Sequence, residues 1–569
     1  MKLKKLLLIL LSLVIFNSTI FAQLYSAKNP INDSQLLYEN HWIYNSLYKL
    51  SLESKEVAFI DTPPLAVGEI KFYLSQFAYE KLSPSGQDLY EKIYQYLYNQ
   101  PKTPTRIAIG FSLNPELYGR TNKNIESDIT YFYKNYPVNL PIILGISNNI
   151  AMEANFFLGK DFHASRSIDS ITNIPFITDE MDTAFPNVAY GNIGGYFENW
   201  GITAKISKQG FTIGKTQLGS VIYNSTFETE AVSTLTAYSP NFNYNLIFSQ
   251  VNYHKFLYLH NFNIKLFPNL KISLTEGGLR DGPIEIKYFN PITLVHQFFP
   301  AKVYERDLEE KYDLDNHYCA YFGITLDYYP IKNLRLYGLW SQTENQSKAE
   351  LDSANYGKLL PNGYGLQIGA DYIHPSVEGG FYTANVEGLW ATPYLYVKQS
   401  PNWSLVSYRF DLNNQKKDVA SWIGTPFGPD TIAFTTSFGY EQPQKWSAKV
   451  SYLFLMKGQL DAKTLLQTSK PNQEKHPDDQ KEYPSYYPAV NYYLGNETLE
   501  DAIARARDMG LTGILQYKNK ITISGEYYFT NKIKFSGEGS YVFVFNNNHE
   551  KNNFQQGLEV KLSLSYNIL

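Results

Sequence analysis

The densest set of groups able to bind or move charge is Glu276-Gly277-Gly278-Leu279-Arg280-Asp281-Gly282-Pro283, followed by Glu285 and Tyr288-Phe289-Asn290-Pro291. Glycines permit tight bends, and Glu276, Arg280 and Glu285 are spaced to pair with one another. Inside a barrel, such pairing would fold a loop inward and narrow the lumen; a charged turn between two strands is the plainer reading. A second set is aromatic: Tyr483, Tyr486, Tyr487, Tyr492 and Tyr493. Flat rings beside polar groups suit sugar faces, and they serve loop packing equally well. Glu276, Arg280, Glu285, Asn290, Tyr486, Tyr487 and Tyr492 are therefore the candidate ligand-binding residues.

Catalytic constellations do not accompany them. The chain has no Gly-x-Ser-x-Gly elbow, phosphate loop or His-Glu-x-x-His helix. Its nine histidines are scattered; His254, His260 and His296 read as structural or lumen residues. His476-Pro477-Asp478-Asp479 reads as a solvated loop. The run Glu305-Arg306-Asp307-Leu308-Glu309-Glu310 lacks the ligand spacing of a dedicated Ca²⁺ site. We expect no enzyme activity, no metal and no cofactor. A net charge of -4 gives no case for nucleic-acid binding. Cys319 is the only cysteine, so no intrachain disulfide can form.

The elements that would position these groups are strands. In 557–569, Leu558, Val560, Leu562, Leu564, Tyr566 and Ile568 alternate with Glu559, Lys561, Ser563, Ser565 and Asn567. One face is greasy and the other wet. Tyr364, Leu366, Ile368, Ala370 and Tyr372 repeat the pattern, as do Trp446, Ala448, Val450, Tyr452 and Phe454. A mean hydropathy of -0.32 fits a membrane barrel, which hides its apolar face in alternation. The 48 tyrosines and 35 phenylalanines suit girdles at the two membrane–water interfaces.

Turns are expected at Pro240-Asn241, Pro268-Asn269, Lys332-Asn333, Pro401-Asn402, Gln442-Pro443 and Thr530-Asn531, where proline presets φ and asparagine tolerates a left-handed backbone. Long polar loops fall at 278–316, 342–362, 412–430, 457–510 and 546–554. The longest has a helix capped by Thr498 and stopped by Gly510. Short turns facing the periplasm and long loops facing outward are the habit of outer-membrane barrels. A parity walk back from the end of the chain keeps every turn on one side if 511–529 is one strand and 382–397 a tight hairpin. It gives roughly 22 strands, and the range we expect is about 16 to 22 antiparallel strands. The stretch 163–187 must then be a long connection or a lumen insert. Ending on Leu569 departs from the aromatic last residue common in assembly signals.

At the start, Lys2, Lys4 and Lys5 precede an apolar run over 6–15, with Ala22 as a cleavage residue, so 1–22 reads as a signal peptide. Residues 23–104 read as a periplasmic helical domain, with a plug inside the barrel as the rival. Leu36, Ile43, Leu47 and Leu50 form one stripe; Ile70, Tyr73, Leu74 and Phe77 form a second; Leu89, Ile93, Tyr96 and Leu97 form a third. Pro63-Pro64 precedes the second helix and Ser83-Pro84 opens the third. Pro101 and Pro104 mark the boundary, and 105–569 is the barrel. The fold class is thus an all-β transmembrane barrel behind a small α-helical bundle, in the outer membrane.

Two places resemble the Wzi-like capsule assembly family. One is His41-Trp42-Ile43-Tyr44 with Leu47, Leu50, Pro64-Leu65, Glu69-Ile70 and Tyr73-Leu74; the other is Glu276-Gly277-Gly278, Arg280, Glu285 and Tyr288-Phe289-Asn290-Pro291. The resemblance implies a non-enzymatic barrel of about 18 strands with periplasmic helices, acting as a surface lectin that helps anchor capsular polysaccharide. Its expected partners are outer-membrane lipid, surface polysaccharide and the barrel-assembly machinery. The competing expectation is a porin-like channel for small solutes.

Overall fold

The computed structural model describes residues 23–26, 29–101, 103, 105–125, 135–159, 171–174, 182–224, 231–291, 294, 317–345, 362–398, 403–410, 418–460 and 509–568. It is a closed antiparallel barrel of 18 strands. The first strand, β1, is broken into Thr105–Ile109, Ser112–Leu113 and Glu116–Arg120. There follow β2 (Val138–Ile146), β3 (Ile150–Gly159), β4 (Asp182–Tyr196), β5 (Gly201–Lys208), β6 (Ala231–Tyr238), β7 (Phe242–Asn252), β8 (Lys255–Phe267) and β9 (Leu270–Asp281). The second half comprises β10 (His317–Tyr328), β11 (Leu334–Glu344), β12 (Gly363–Pro375), β13 (Phe381–Ala391), β14 (Thr431–Gln442), β15 (Trp446–Lys457), β16 (Gln516–Thr530), β17 (Ile533–Phe545) and β18 (Gln555–Asn567). Each strand pairs with its neighbours in sequence, and β18 closes onto β1. The short segment Gln23–Ser26 runs parallel to the start of β1.

Alternation decides which face meets lipid. On β12, Leu366, Ile368 and Tyr372 are exposed outward, while Gln367 and Asp371 are buried inward. On β5, Ile202 and Ile206 face out while Thr203, Lys205 and Ser207 are buried within. A wall greasy outside and polar inside inverts the soluble pattern, as a bilayer demands. Tyr440 packs on Trp446 at 4.8 Å between ring centroids beside the β14–β15 turn, and Phe197 stacks on Trp200 at 4.2 Å beside the β4–β5 turn. Both pairs sit at the short-turn end of the barrel.

The parity rule holds, but the count of 22 does not. The 382–397 hairpin is absent: β13 ends at Ala391, and 392–430 leaves and returns at the long-loop end, where Ala391 pairs with Thr431. The short connection at the other end is 376–380 instead. The Pro401-Asn402 turn therefore belongs to a long excursion, and those two residues lie outside the described set. Of 511–529, residues 516–529 do fall in one strand, β16, while 511–515 precede it. Conversely, the link at Tyr253-His254 sits at the long-loop end yet spans only the gap between β7 and β8. Of 163–187, the residues before β4 are mostly outside the described set, as are 498–508 of the expected helix.

Three helices precede the barrel: α1 (Trp42–Ser54), α2 (Val67–Leu74) and α3 (Pro84–Tyr98). The His41 ring caps α1 by accepting from the Ile43 amide at 3.4 Å. Ser83 caps α3 by accepting from the Gly86 amide at 3.1 Å, with Pro84 in the tolerated first turn. Leu36 is not helical; it pairs with Ala66 in a two-residue ladder. Phe77 lies past the end of α2, yet it is buried with Ile70, Tyr73 and Leu74. The apolar stripes meet one another and continue into wall residues Tyr238, Tyr329, Ile373 and Phe381. Backbone bonds tie helix and wall together, from the Val57 amide to the Pro268 carbonyl (2.8 Å) and from the Asn333 amide to the Leu52 carbonyl (2.8 Å). The helices thus sit in the short-turn mouth of the barrel.

Candidate functional site

Inside the barrel, charged residues at inward strand positions hold the helices from below. Lys271 of β9 lies 2.7 Å from Asp61 and 3.0 Å from Asp327 of β10. Arg335 of β11, 2 % exposed, grips Asp327 through Nε at 2.5 Å and Asp371 of β12 through Nη1 at 3.0 Å. Tyr48 of α1 donates to the same Asp371 carboxylate at 2.5 Å, and Lys49 lies 2.6 Å from Glu441 of β14. Buried charges of this kind persist only when each is paired and hydrogen-bonded. Further round the ring, Lys205 donates to the Pro64 carbonyl at 2.6 Å, and Tyr73 donates to Glu69 at 3.1 Å. Burial pushes the Glu69 carboxyl up to about 7, with Lys205 and Tyr73 acting against the shift.

From the opposite end, two excursions fold into the lumen. Residues 209–224 descend after β5, and Glu387 of β13 catches them by accepting the Gln217 and Leu218 amides, each at 2.8 Å. Gln367 accepts the Val221 amide at 3.0 Å and donates to the Gly219 carbonyl at 3.1 Å. The hydroxyls of Tyr321 and Tyr396 both donate to the Val221 carbonyl, at 3.3 and 2.5 Å. The second excursion, 392–430, brings Tyr394, Leu395, Trp403, Leu405, Trp422 and Ile423 into one apolar core with Val221, Ile222 and inward wall residues. It contains a hairpin, Val406–Phe410 with Asp418–Trp422, and Lys255 of β8 donates to the Val406 carbonyl at 2.5 Å. Asp430 gathers the Leu460 amide at 2.9 Å and the Thr512 amide at 3.0 Å, binding the next long loop to this core. Helices from one end and excursions from the other therefore occupy the lumen along β5–β14.

The predicted charged cluster forms only in part, and not inside the lumen. Register fixes its side of the wall: Glu276 and Arg280 fall in phase with exposed Ile272, whereas Thr275 and Leu279 face inward. Glu276 is 3 % exposed and sits 3.3 Å from His260 on the neighbouring strand. Arg280 pairs with Glu285, whose other oxygen lies 2.7 Å from Lys287. Residues 282–290 bend back over the outer wall as a strap, with a single 3₁₀ turn at Ile286–Phe289. Tyr288 is buried against Tyr258 at 4.9 Å, and Phe289 packs on Phe248 at 5.1 Å. Ile286, 86 % exposed, points away from the barrel, and Asn290 is exposed. Glu276 does not pair with Arg280; the strap covers it. Tyr486, Tyr487 and Tyr492 lie outside the described residues.

Sequence reasoning missed the groups that fill the lumen: Arg335, Asp327, Lys271, Glu387 and Gln367. The signal was present, since all five stand at wet positions of alternating strands. Their partners come from segments far away in sequence, and no local pattern shows that.

An apolar outer wall, a polar interior and a closed antiparallel ring define an outer-membrane β-barrel, here with its lumen largely occupied. Among solved structures, the chain is similar to Wzi of Escherichia coli, described as an outer-membrane protein involved in group 1 capsule assembly and a carbohydrate-binding β-barrel. That match has a TM-score of 0.52 at 11 % identity and covers 93 % of this chain and 99 % of that one. OprD of Pseudomonas aeruginosa matches at a TM-score of 0.37 and 8 % identity, over 81 % and 96 % of the two chains. OccAB4 of Acinetobacter baumannii gives 0.37 and 9 %, over 82 % and 98 %. No protein-family model and no curated protein sequence matches the chain.

Proposed function

We propose that this protein is a non-enzymatic outer-membrane barrel of the Wzi-like kind, which binds surface polysaccharide and holds it at the cell. The filling of the lumen by 209–224 and 392–430, pinned by Glu387 and Gln367, carries this reading. A core tied to the wall by buried hydrogen bonds makes the barrel a rigid base for its long loops. It also blocks much of the bore that a wide diffusion channel needs. The similarity in overall fold to a carbohydrate-binding barrel supports the same reading. The loop 457–510, with Tyr486, Tyr487 and Tyr492, supplies rings for sugar faces, and Asn290 on the strap supplies an exposed carboxamide.

The test compares cell-bound and released polysaccharide in a deletion strain and its complemented parent. The expected result is a shift to the medium at constant total synthesis. No shift, together with high single-channel conductance of the purified protein, would favour the solute-channel alternative and end this reading.

A further inference from the structure

Among the described residues, the filling of the lumen is lopsided. No hydrogen bond or ion pair joins the described residues of α1–α3 to β15–β18. Along that wall lies a cavity of about 380 Å³. Strand register stacks its inward side chains in levels. Lys449, Ser524, Glu538 and Lys561 form one level; Ser447, Glu526 and Ser536 form the next towards the short turns. Towards the surface the wall turns apolar: Val542 and Val544 are buried with Ile125, and Leu453 and Leu455 pack on the lumen core. The cavity therefore opens towards the periplasm and is collared on the other side.

Among the described residues, its charged groups pair off, with one cation left out of the pairs. Glu526 lies 3.1 Å from Lys534, Glu538 3.6 Å from Lys520, and Lys561 3.1 Å from Glu116. Glu441 is taken by Lys49 of α1. Among the described residues, Lys449 makes no ion pair and no hydrogen bond; it lines the cavity, and Asp371, Glu538 and Glu441 act on it only through space. A lone cation among hydroxyls and carboxylates is a recognition pattern: the cation takes an anion, the hydroxyls and carboxylates take hydroxyl groups.

We propose that this vestibule binds a small polyhydroxylated carboxylate, of the uronic-acid class, from the periplasmic side. Lys449 holds the carboxylate; Ser447, Ser524 and Ser536, with Glu526 and Glu538, hold the hydroxyls. This site is separate from the surface loops and stands or falls independently of their glycan binding.

The test titrates full-length protein in detergent with glucuronate, glucose and inorganic phosphate. Saturable glucuronate binding is expected, with glucose much weaker and Lys449→Gln reducing glucuronate affinity about tenfold or more. A second measurement exploits Cys319, which is fully buried and so spares the background. In Ser524→Cys and Ser536→Cys, an anionic thiol reagent should react faster than a cationic one of equal size, and Lys449→Gln should erase that preference. Equal binding of glucose and glucuronate, phosphate binding as well as glucuronate, or indifference to Lys449→Gln in both measurements would overturn the proposal.

Discussion

Replacing Arg335 by Met tests the clasp that seats the helices. The guanidinium serves Asp327 and Asp371, donates to the Lys215 carbonyl at 2.9 Å and packs on Tyr337 at 3.9 Å. Met fills much of the same volume but leaves two buried carboxylates facing each other. Lys271 still compensates Asp327; Asp371 keeps the Tyr48 hydroxyl, the side chain of Gln217 and, through space, the Lys215 ammonium. Removing one partner from a buried ion pair costs about 3–5 kcal/mol. The wall's own ladder does not depend on this residue, so the loss falls on the docking of α1 and of 209–224. Amide hydrogen exchange in α1 reads that local opening directly. Its protection should drop roughly a hundredfold or more, while amides of β16–β18 stay unchanged. The combination Arg335→Met, Asp327→Asn and Asp371→Asn should recover most of the loss, because no orphan charge remains. Unchanged α1 protection in Arg335→Met, or no recovery in the triple variant, would refute the argument that these charges seat the plug.

Four further outcomes are expected. Burial holds the His41 imidazole down at about 4. Its contribution to docking is full above the unfolded value of about 6.5 and is lost as pH falls through the folded one, on the order of 3 kcal/mol in all. His41→Asn, which keeps a capping side chain, should flatten that acid dependence of α1 protection. Ile523→Arg, on the outward face of β16, should cost about 2–4 kcal/mol in folding into vesicles, against much less for Thr522→Arg on the inward face. Glu387→Ala removes the acceptor of two loop amides and should expose 215–221 to proteases while leaving heat-modifiable mobility of the barrel intact. Gly277 has φ +150° and its added Cβ would strike the Tyr258 carbonyl, so Gly277→Ala should reduce the yield of folded barrel by at least about tenfold.

Strands were legible because lipid enforces period two. The faces read from Tyr364 to Tyr372, from Trp446 to Phe454 and from Leu558 to Tyr566 are the exposed ones. The helices were legible because their stripes are buried at helical spacing and Ser83-Pro84 marks a start. Part of the excess in the count has a physical reason. In 392–430, Tyr394, Leu395, Tyr396, Trp403, Leu405 and Trp422 are apolar because they pack inside the barrel. Apolar content without a membrane role looks like wall when only periodicity is read. The charged cluster shows the same limit from the other side. Spacing correctly marked Glu285 as a partner for Arg280, but the side of the wall depends on strand phase carried from Ile272 through Gly277.

Both seams of the broken first strand are interrupted: β1 meets β2 at Thr105–Ile109 and again at Ser112–Leu113. β17 and β18 pair continuously from Ile533 with Tyr566 to Val544 with Gln555, whereas β18 meets β1 only at Glu559–Ser563 and again at Tyr566-Asn567. Pro115 lies in the gap and can give no amide to a ladder; it accepts instead, from Leu564 at 3.0 Å. A ring passes load through every join in turn, and at this strand it passes through two interrupted ladders. The first strand is therefore a stave held on both sides by split seams, beside the wall to which no described residue of α1–α3 bonds.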